Sequence, residues 1–323
     1  MAFYHTIKRY DRENQKRIAQ RLLDLRASLA AQIGSDRTPG SLIIGSWNIR
    51  AFDGGRPRLD ESYHYIAEII GQFDICAVQE VKSNLQPLER ITKLLGPNWD
   101  YLVTDVSDGT QGNSERLAYL FNKSRISFRN LVGELVVEGE PIARTPFFAA
   151  FQCDWFKFVL CSTHITFGDQ SERVREISTI SKVLKKRSKA EKDVYIFLGD
   201  MNIDTLKSDT MTALLANGMT VPLFGRTNLA KVEKHFDQIA FTLEGIETDF
   251  IRHGVIDWRD SVFKDSDIDF YEPIAIEQRR GEPYADWSKQ YSRWTTNEMS
   301  DHLPIWLELR VDYSDKYLTE KFL

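Results

Sequence analysis

The sequence predicts an α+β fold in which two mixed, mainly antiparallel sheets pack face to face and helices cover their outer faces. Strand and helix patterns mix from residue 42 onward, and several neighbouring strands have no helix between them. The strand candidate at 147–152, for example, is followed directly by another at 156–162. Because such hairpins join antiparallel strands, a doubly wound parallel sheet does not fit. The 323 residues, 42% of them hydrophobic, suffice for a large globular core.

The individual elements follow from apolar periodicity. Apolar residues recur at helical spacing in four segments of the main region, at 59–71, 85–95, 171–187 and 208–216. Short apolar runs rich in β-branched and aromatic residues predict strands. These runs lie at 42–47, 75–79, 101–104, 117–121, 147–152, 156–162, 194–198, 236–241 and 303–311.

The stretch 257–297 has weak periodicity and is interpreted as a long ordered loop before the final strand. Long loops in compact domains are often functional, so its aromatic and basic side chains could line a substrate groove. The alternative is a surface loop that its aromatic side chains anchor to the domain. The residues concerned are Trp287, Tyr291, Arg293 and Trp294.

We divide the chain into three parts. Residues 1–40 form an amphipathic helical extension and linker, 41–313 form one large α+β domain, and 314–323 form a C-terminal tail. The helix of the extension either packs on its own domain or serves as a surface for a protein partner or for self-association. Its apolar positions at helical spacing are Ile18, Leu22, Leu25 and Leu29.

The composition is that of a globular protein without a strong overall attraction to polyanions. The formal net charge is −5, which argues against a pure nucleic-acid-binding module but not against an enzyme with a locally positive site. Cys76, Cys153 and Cys161 lie in strand-like runs without disulfide or metal-site spacing, which is typical of a reducing compartment. The N-terminal residues lack the apolar segment of a signal peptide, and no run has membrane-spanning length. We therefore expect a cytoplasmic protein that engages no membrane.

Four segments share one design, an apolar run joined to a cluster of polar residues. Three predicted strands deliver such side chains at their carboxyl ends, and the fourth segment presents two of them just before a strand. Hard oxygen ligands and a histidine suit Mg²⁺ and phosphate chemistry, so the pattern predicts a site assembled from many strand ends. The residues are Asn48, Glu80, Asp200, Asn202, Asp301 and His302.

In their order along the chain, eight segments resemble the endonuclease/exonuclease/phosphatase superfamily, whose fold is DNase I-like. They are SWNIR, AVQEV, NSERLAYLF, ARTPFFAAF, CSTHITFG, FLGDMNID, FDQIAF and MSDHLPIWLEL, and they extend from residue 46 to 309. The resemblance implies a four-layer α/β/β/α sandwich with its site at the rim where the sheets open. It also implies an enzyme, a metal-dependent phosphoester hydrolase.

The resemblance gives three residues a role in metal binding. Glu80 corresponds to the principal Mg²⁺ ligand, with Asn48 beside it holding the metal or a phosphate oxygen. Asp301 is expected near the same ion. Mg²⁺ is therefore the expected cofactor, with Mn²⁺ as a substitute.

The same resemblance assigns the proton chemistry. His302 would be the general base that takes a proton from the attacking water, and Asp237 would orient its ring and raise its basicity. Asp200 would help to position the nucleophile, and Asn202 would donate to a phosphoryl oxygen. The expected reaction is in-line attack of water on a phosphoester.

Three further residues complete the implied site. His164 would face the phosphate as a second imidazole, Glu115 would support that imidazole, and Arg144 would contact phosphate. Each has a structural alternative. His164 could be a histidine satisfied within the core, Glu115 could pair with Arg116 at the surface, and Arg144 could be a solvated turn charge.

The expected substrate follows by elimination within the family. The histidine at position 164 argues against the abasic-site branch, the segment 235–238 lacks the motif of the inositol-phosphate 5-phosphatases, and the absence of a signal peptide argues against secreted sphingomyelinases. We therefore expect a nuclease whose substrate is nucleic acid, in the first place DNA. The alternative is a phosphatase or phosphodiesterase for a small phosphorylated metabolite or a phospholipid head group. Gln238 stands where many nucleases of the family have arginine, which leaves the substrate open.

Overall fold

Two mixed β-sheets packed face to face lie at the centre of the protein. The structure is a computed structural model that describes residues 2–34, 37–52, 54, 57–107, 114–139, 142–229, 231–242 and 249–323. The strands are β1 (Ser41–Phe52), β2 (Ile75–Val81), β3 (Trp99–Val103), β4 (Arg116–Asn122), β5 (Ser127–Glu134), β6 (Phe147–Cys153), β7 (Phe156–His164), β8 (Val194–Asp200), β9 (Asp237–Phe241), β10 (Asp249–Val255) and β11 (Ile305–Arg310).

The strand order confirms the mixed, mainly antiparallel character of both sheets. The six-stranded sheet has the order β10-β11-β1-β2-β4-β3, and the five-stranded sheet has the order β5-β6-β7-β8-β9. The pairs β1–β2 and β7–β8 are parallel. The other ladders between these strands are antiparallel. Each sheet therefore contains one parallel pair whose carboxyl ends point to the same edge.

Helices cover the outer faces of the two sheets. The α-helices of the described residues are α1 (Arg12–Ile33), α2 (Asp60–Ile70), α3 (Gln86–Leu95), α4 (Gln170–Glu191), α5 (Asp209–Leu215), α6 (Ile268–Gln278), α7 (Trp287–Glu298) and α8 (Ser314–Phe322). Helices α1, α2, α3, α6 and α7 share a hydrophobic core with the outer face of the six-stranded sheet, and α4 and α5 share one with the five-stranded sheet. Together with the apolar layer between the sheets, this gives the predicted four-layer α/β/β/α sandwich. No helix within the described residues is both long and apolar enough to cross a lipid bilayer.

The interface between the sheets is filled by aliphatic and aromatic side chains that alternate along each strand. Ile44 and Ile75 from one sheet share this core with Leu160 and Ile196 from the other, and all four are fully buried. Burying one such side chain stabilises a fold by about 1.5–3 kcal/mol. The packed layer thereby fixes the strand ends that carry the polar residues.

The stretch 257–297 is more regular than its sequence pattern predicts, because it contains α6 and α7. Trp287, Tyr291 and Trp294 are buried, and their rings pack against one another. The expectation that the segment lines a groove is therefore wrong for Trp287 and Tyr291, which anchor the segment. Arg293 and the buried Trp294 do line a cleft, whose role as a substrate groove stays a prediction. Pro273 inside α6 and the many polar residues of α7 weaken the apolar period that would reveal a helix.

Two strands at the sheet edges also lack a clear sequence signal. β5 borders the five-stranded sheet and is mostly exposed, and β10 borders the six-stranded sheet and is half-buried. An edge strand with solvent on much of its surface has little of the alternation that marks a buried strand.

The N-terminal helix α1 packs on the chain's own domain. It begins after Asp11, whose carboxylate accepts hydrogen bonds from the backbone N–H groups of Glu13 and Asn14 at 3.0 Å each. The four apolar residues that predict the helix are buried in the core beneath it. A partner of this helix, which stays a prediction, would have to contact its other face. The buried residues are Ile18, Leu22, Leu25 and Leu29.

Charged side chains hold α1 to the helices around it. Arg17 forms an ion pair with Glu61 at 2.7 Å, and the Tyr271 hydroxyl donates to the same carboxylate at 2.9 Å. Burial raises the pKa of Glu61, and the positive charge of Arg17 opposes that rise. Arg21 pairs with Asp267 at 2.5 Å. Because removing one partner of a buried pair is strongly destabilising, these ion pairs hold α1 firmly on the domain.

His64 in α2 gives a prediction for the dependence of stability on pH. Burial, followed by the positive charge of Arg90, lowers the pKa of His64 from 6.5 to about 4. Between these pH values the unfolded chain binds a proton that the folded chain excludes. The free energy of unfolding is therefore highest above pH 6.5. It falls by up to about 3 kcal/mol as the pH decreases from 6.5 towards 4.

Between pH 7 and 4.5, we expect the free energy of unfolding to fall by about 2 kcal/mol less in His64→Gln than in the wild type. Urea unfolding followed by circular dichroism at the two pH values measures this difference. His253→Gln is the control, because His253 lies in β10 at the edge of the six-stranded sheet. Equal losses in the wild type and His64→Gln would contradict the prediction.

Candidate active site

The predicted polar side chains meet at one edge of the two sheets. The parallel pairs β1–β2 and β7–β8 both direct their carboxyl ends to this edge. In the second sheet, His164 lies beside Asp200, and Asp200 lies beside Asp237. The loop before β11 brings His302 to the same place, since its ring contacts Asp237.

The carboxylate of Asp200 lies at the centre of the cluster. Its Oδ2 atom accepts a hydrogen bond from Nδ2 of Asn48 at 3.0 Å. The same oxygen is 3.6 Å from Nε2 of His164 and 3.7 Å from Nε2 of His302. Two imidazoles thus approach a single buried oxygen from different strands.

His302 is paired with a buried carboxylate. Its Nδ1 atom is 2.8 Å from Oδ2 of Asp237, which is fully buried. Burial acts to lower the pKa of His302, but the carboxylates of Asp237 and Asp200 raise it well above its usual value. Nε2 of His302 is therefore strongly basic, and a positive charge bound nearby would favour the neutral ring that can accept a proton.

His164 is supported by a second carboxylate. Its Nδ1 atom is 2.8 Å from Oε2 of Glu115, which also pairs with Lys82 at 2.9 Å and Arg144 at 3.5 Å. Burial would raise the pKa of Glu115, but His164, Lys82 and Arg144 lower it to about 2. Glu115 is therefore a firmly ionised partner for this imidazole.

The structure contradicts the structural alternatives for Glu115 and Arg144. Glu115 is buried, and Arg116 instead donates to the Thr104 carbonyl at 2.7 Å, so the surface pair is wrong. The side chain of Arg144 is only 13% exposed and is not a solvated turn charge. His164 is buried beside Glu115 but also lines a cavity of about 420 Å³, and its catalytic role stays a prediction. Glu115, Arg144 and Thr145 line the same cavity.

Irregular backbone positions Glu80 at the end of the six-stranded sheet. Glu80 has φ of 62° and Ala51 has φ of 42°, both in the left-handed region that non-glycine residues rarely adopt. The β1–β2 register shifts between Asn48 and Phe52, next to both residues. The Ala51 N–H donates to Oε2 of Glu80 at 2.6 Å. The local distortion thus turns a carboxylate towards the site.

Asn48 provides a test of whether a hard cation fits. Its Nδ2 donates to Asp200, whereas its Oδ1 is buried and accepts no hydrogen bond from the described residues. A buried amide oxygen without a donor is costly unless a cation or water satisfies it. Glu80, Glu115 and His164 offer ligand atoms within 4.8 Å of one another at the same edge. Since the donor set is rich in oxygen, a divalent cation with hard character fits the site.

Asp301 and Asn202 lie at the margin of the cluster. The Asp301 carboxylate is 43% exposed and lies 3.7 Å from Nη1 of Arg50. Nδ2 of Asn202 donates to the Ile165 carbonyl at 2.6 Å, and its backbone N–H donates to Oδ1 of Asp200 at 3.0 Å. The carboxylate of Asp301 is therefore accessible from solvent. The hydrogen bonds of Asn202 link the ends of β7 and β8.

Ser300 holds the site together, and sequence reasoning missed it. Its hydroxyl donates to the Asn48 carbonyl at 2.6 Å and accepts from the backbone N–H groups of Arg50 at 3.1 Å and His302 at 3.0 Å. This one hydroxyl fixes the end of β1 to the loop that carries His302. A serine before Asp-His has no pattern that would have revealed it, because its partners are distant in sequence.

Thr227 and Lys82 are also absent from the predicted set. The Asp237 N–H donates to Oγ1 of Thr227 at 3.1 Å, which fixes the strand end beside His302. Lys82 pairs with Glu115. Both act on the histidines through their carboxylate partners.

A two-sheet sandwich with carboxylates, an amide and two imidazoles at one edge defines the DNase I-like class of phosphoester hydrolases. The family model described as "Endonuclease/Exonuclease/phosphatase family" matches residues 45–300, and the chain belongs to that family. The protein is therefore an enzyme, a phosphoester hydrolase of a family that generally depends on a divalent metal. The predicted family and fold are both confirmed.

Several solved structures share the fold. An endonuclease/exonuclease/phosphatase family protein from Bacteroides thetaiotaomicron is 19% identical, with a TM-score of 0.58, over 85% of this chain and 99% of that one. A mannosyl-6-phosphatase from the same species is 18% identical, with a TM-score of 0.56, over 83% and 99%. D. rerio TDP2 complexed with single-strand DNA product is 16% identical, with a TM-score of 0.56, over 83% and 98%. A search of curated protein sequences found no significant match.

Proposed function

We propose that the protein is a Mg²⁺-dependent phosphodiesterase, a DNase I-like nuclease that hydrolyses DNA. The observation that carries this proposal is the pair of imidazoles, His164 and His302, whose Nε2 atoms lie 3.6 and 3.7 Å from the same oxygen of Asp200. Hydrolysis of a phosphodiester needs a proton acceptor at the attacking water and a donor at the leaving oxygen. Two imidazoles around one point can fill these two roles.

In the proposed mechanism, Nε2 of His302 takes a proton from the water as its oxygen forms a bond to phosphorus. Asp237 holds the ring through Nδ1 and stabilises the imidazolium that results. Asp200 accepts a hydrogen bond from the same water and orients it. Because Asp237 and Asp200 surround His302 with negative charge, proton transfer to its ring is favoured.

His164 acts at the opposite side of the phosphorus. Its Nε2 donates to the leaving oxygen as the bond from phosphorus to that oxygen breaks, and Glu115 fixes the ring through Nδ1. Arg144 and the side-chain amide of Asn202 donate to the non-bridging oxygens. These donors stabilise the charge that develops on the phosphoryl group.

Glu80 and Asn48 would hold the Mg²⁺ ion, with Asp301 at the rim, and Mn²⁺ would substitute for it. When bound, the ion supplies positive charge that stabilises the oxygens of the reacting phosphate. The unpaired Oδ1 of Asn48 supports this assignment.

Nucleic acid is the proposed partner, and residues 41–313 are the proposed catalytic domain. The TDP2 structure with a single-strand DNA product supports a DNA substrate, whereas the mannosyl-6-phosphatase supports the alternative of a small phosphoester. The three cysteines are buried and form no disulfide, which supports action in a reducing compartment such as the cytoplasm.

The test is to incubate purified protein with supercoiled plasmid, single-stranded DNA, RNA, a phosphomonoester and a small phosphodiester. Each substrate is given Mg²⁺, Mn²⁺ or EDTA, and gel electrophoresis or phosphate release is the readout. We expect cleavage of DNA with either metal and none with EDTA. Hydrolysis of a phosphomonoester without cleavage of any polymer would overturn the nuclease proposal and favour the phosphatase.

Metal binding is testable without an activity assay. We expect Mg²⁺ at about ten times its dissociation constant to raise the stability of the wild type by roughly 1.4 kcal/mol, measured as a higher Tm. Glu80→Gln keeps the size of the side chain but removes its charge, so its Tm should not respond to Mg²⁺. Glu89→Gln, at an exposed position, should respond like the wild type. A full Mg²⁺ response in Glu80→Gln would exclude Glu80 as the main ligand.

A further inference from the structure

A cleft of about 620 Å³ runs along one face of α7, outside the catalytic cluster. Asp286, Lys289, Arg293 and Asn297 follow one another at helical spacing and line it. The opposite face of α7 is anchored in the core by buried aromatic rings, so the wall of the cleft is fixed in place. Arg279 and Tyr284 form the facing side.

The cleft carries positive charge on a chain whose net charge is −5. Arg293 is exposed, and its guanidinium forms no ion pair, hydrogen bond or ring contact among the described residues. Lys289 pairs with Asp286 at 2.7 Å, but its side chain is 80% exposed. Arg279 lies over the Tyr284 ring at 4.4 Å and is 3.6 Å from Glu282. Lys289 and Arg293 can therefore each form an ion pair with a phosphate. Neither contact would leave a buried carboxylate without its partner.

One end of the cleft is linked to the site through the last turn of α7. Thr296, the neighbour of Asn297 in the last turn of α7, accepts a hydrogen bond from Nη1 of Arg50 at 2.9 Å. The same Nη1 atom is 3.7 Å from Asp301. Only three residues separate Asn297 from Asp301, so this end of the cleft lies within about 15 Å of Asp301. From Asn297 to Asp286 the helix rises by about 16 Å, which is enough for several backbone phosphates.

We propose that the α7 cleft binds the sugar-phosphate backbone of the nucleic acid next to the scissile phosphate, with Lys289 and Arg293 contacting successive phosphates. The guanidinium of Arg279, supported from below by Tyr284, offers a flat surface to a base. The inference rests on the proposed nuclease function and adds a preference for one kind of substrate. The enzyme prefers a polymer that extends from the scissile bond into this cleft over a small phosphodiester.

The test compares a Lys289→Ala/Arg293→Ala double variant with the wild type on a labelled single-stranded DNA oligonucleotide and on bis(4-nitrophenyl) phosphate. KM for the oligonucleotide should rise about tenfold, and the slope of log KM against log salt should fall by roughly 1.4 for two lost phosphate contacts. The values of kcat on the oligonucleotide and of kcat/KM on the small diester should stay unchanged. The single variant Arg293→Lys keeps the positive charge, so its KM for the oligonucleotide should rise less than that of the double alanine variant.

A Lys93→Ala/Lys123→Ala variant removes two exposed cations elsewhere and is the matched control. Wild-type KM and salt slope in the cleft variant would overturn the inference, as would an equal loss on the small diester. Fluorescence anisotropy with the same oligonucleotide separates the cleft from the chemistry. If the wild type cuts no nucleic acid yet binds it through Lys289 and Arg293, the cleft assignment stands and the proposed nuclease function fails. If binding does not depend on them, the cleft assignment fails.

Discussion

Replacing His302 with alanine is expected to lower kcat for phosphoester hydrolysis by about 10²- to 10⁴-fold, the usual contribution of a general base. The reason is that Nε2 of His302 is the strongly basic atom that faces Asp200, and alanine leaves no group to take its place. KM should change little, because the imidazole acts on the water and does not bind the substrate. Steady-state kinetics with Mg²⁺ measures both quantities.

His5→Ala is the control for this variant, because His5 is exposed and lies outside the cluster. The kcat of Asp237→Asn should lie between those of His302→Ala and His5→Ala. The asparagine still contacts the His302 ring but no longer stabilises its protonated form. Circular dichroism and Tm establish that each variant is folded. A His302→Ala variant that is folded and fully active would remove His302 from the mechanism.

Gly199→Ala is expected to destabilise the fold by about 3 kcal/mol and to lower activity with it. Gly199 has φ of 130°, and a Cβ atom at this position would lie 2.1 Å from the carbonyl oxygen of Thr163. The Thr163–Gly199 pair is the rung of the ladder next to His164 and Asp200. To accommodate a methyl group, the parallel strands β7 and β8 must separate where they carry these two side chains.

Differential scanning calorimetry and kinetics measure the two effects of Gly199→Ala. We expect Tm to fall by roughly 6–12 °C for a loss of about 3 kcal/mol, and kcat/KM to fall at temperatures where the variant is still folded. Gly225→Ala is the matched control, since nothing lies within 4 Å of its added Cβ atom. An unchanged Tm in Gly199→Ala would show that the strands tolerate the methyl group.

Side chains that end buried strands could be predicted from the sequence. Glu80 and Asp200 each follow an apolar run, and a carboxylate in such a place needs a charged or hydrogen-bonding partner. The order of these segments also carried the resemblance to the family. The distances could not be predicted, because they depend on which strands pair. His164 and Asp200 are neighbours only through the parallel β7–β8 ladder.

The role of Ser300 and the lining of the α7 cleft could not be fully predicted from the sequence, for two different reasons. The Ser300 hydroxyl acts on Asn48, which lies 252 positions earlier in the chain, so no local pattern marks it. In α7, the aromatic side chains were the conspicuous feature of the sequence. Trp287 and Tyr291 face the core, whereas Arg293 and Trp294, both candidates for a groove in the sequence, line the cleft together with Lys289.

The position of β11 has a consequence for biosynthesis. Among the strands that the structure describes, β11 comes last in the chain, yet it lies between β10 and the first strand, β1. A chain still being translated can therefore contain Asn48 and Glu80 long before His302 and Ser300 have left the ribosome. Until they do, β1 lacks its antiparallel neighbour and the end of β1 lacks the hydroxyl that fixes it. In the proposed mechanism hydrolysis therefore requires residues 300–310, and we expect translation products that end before them to be inactive.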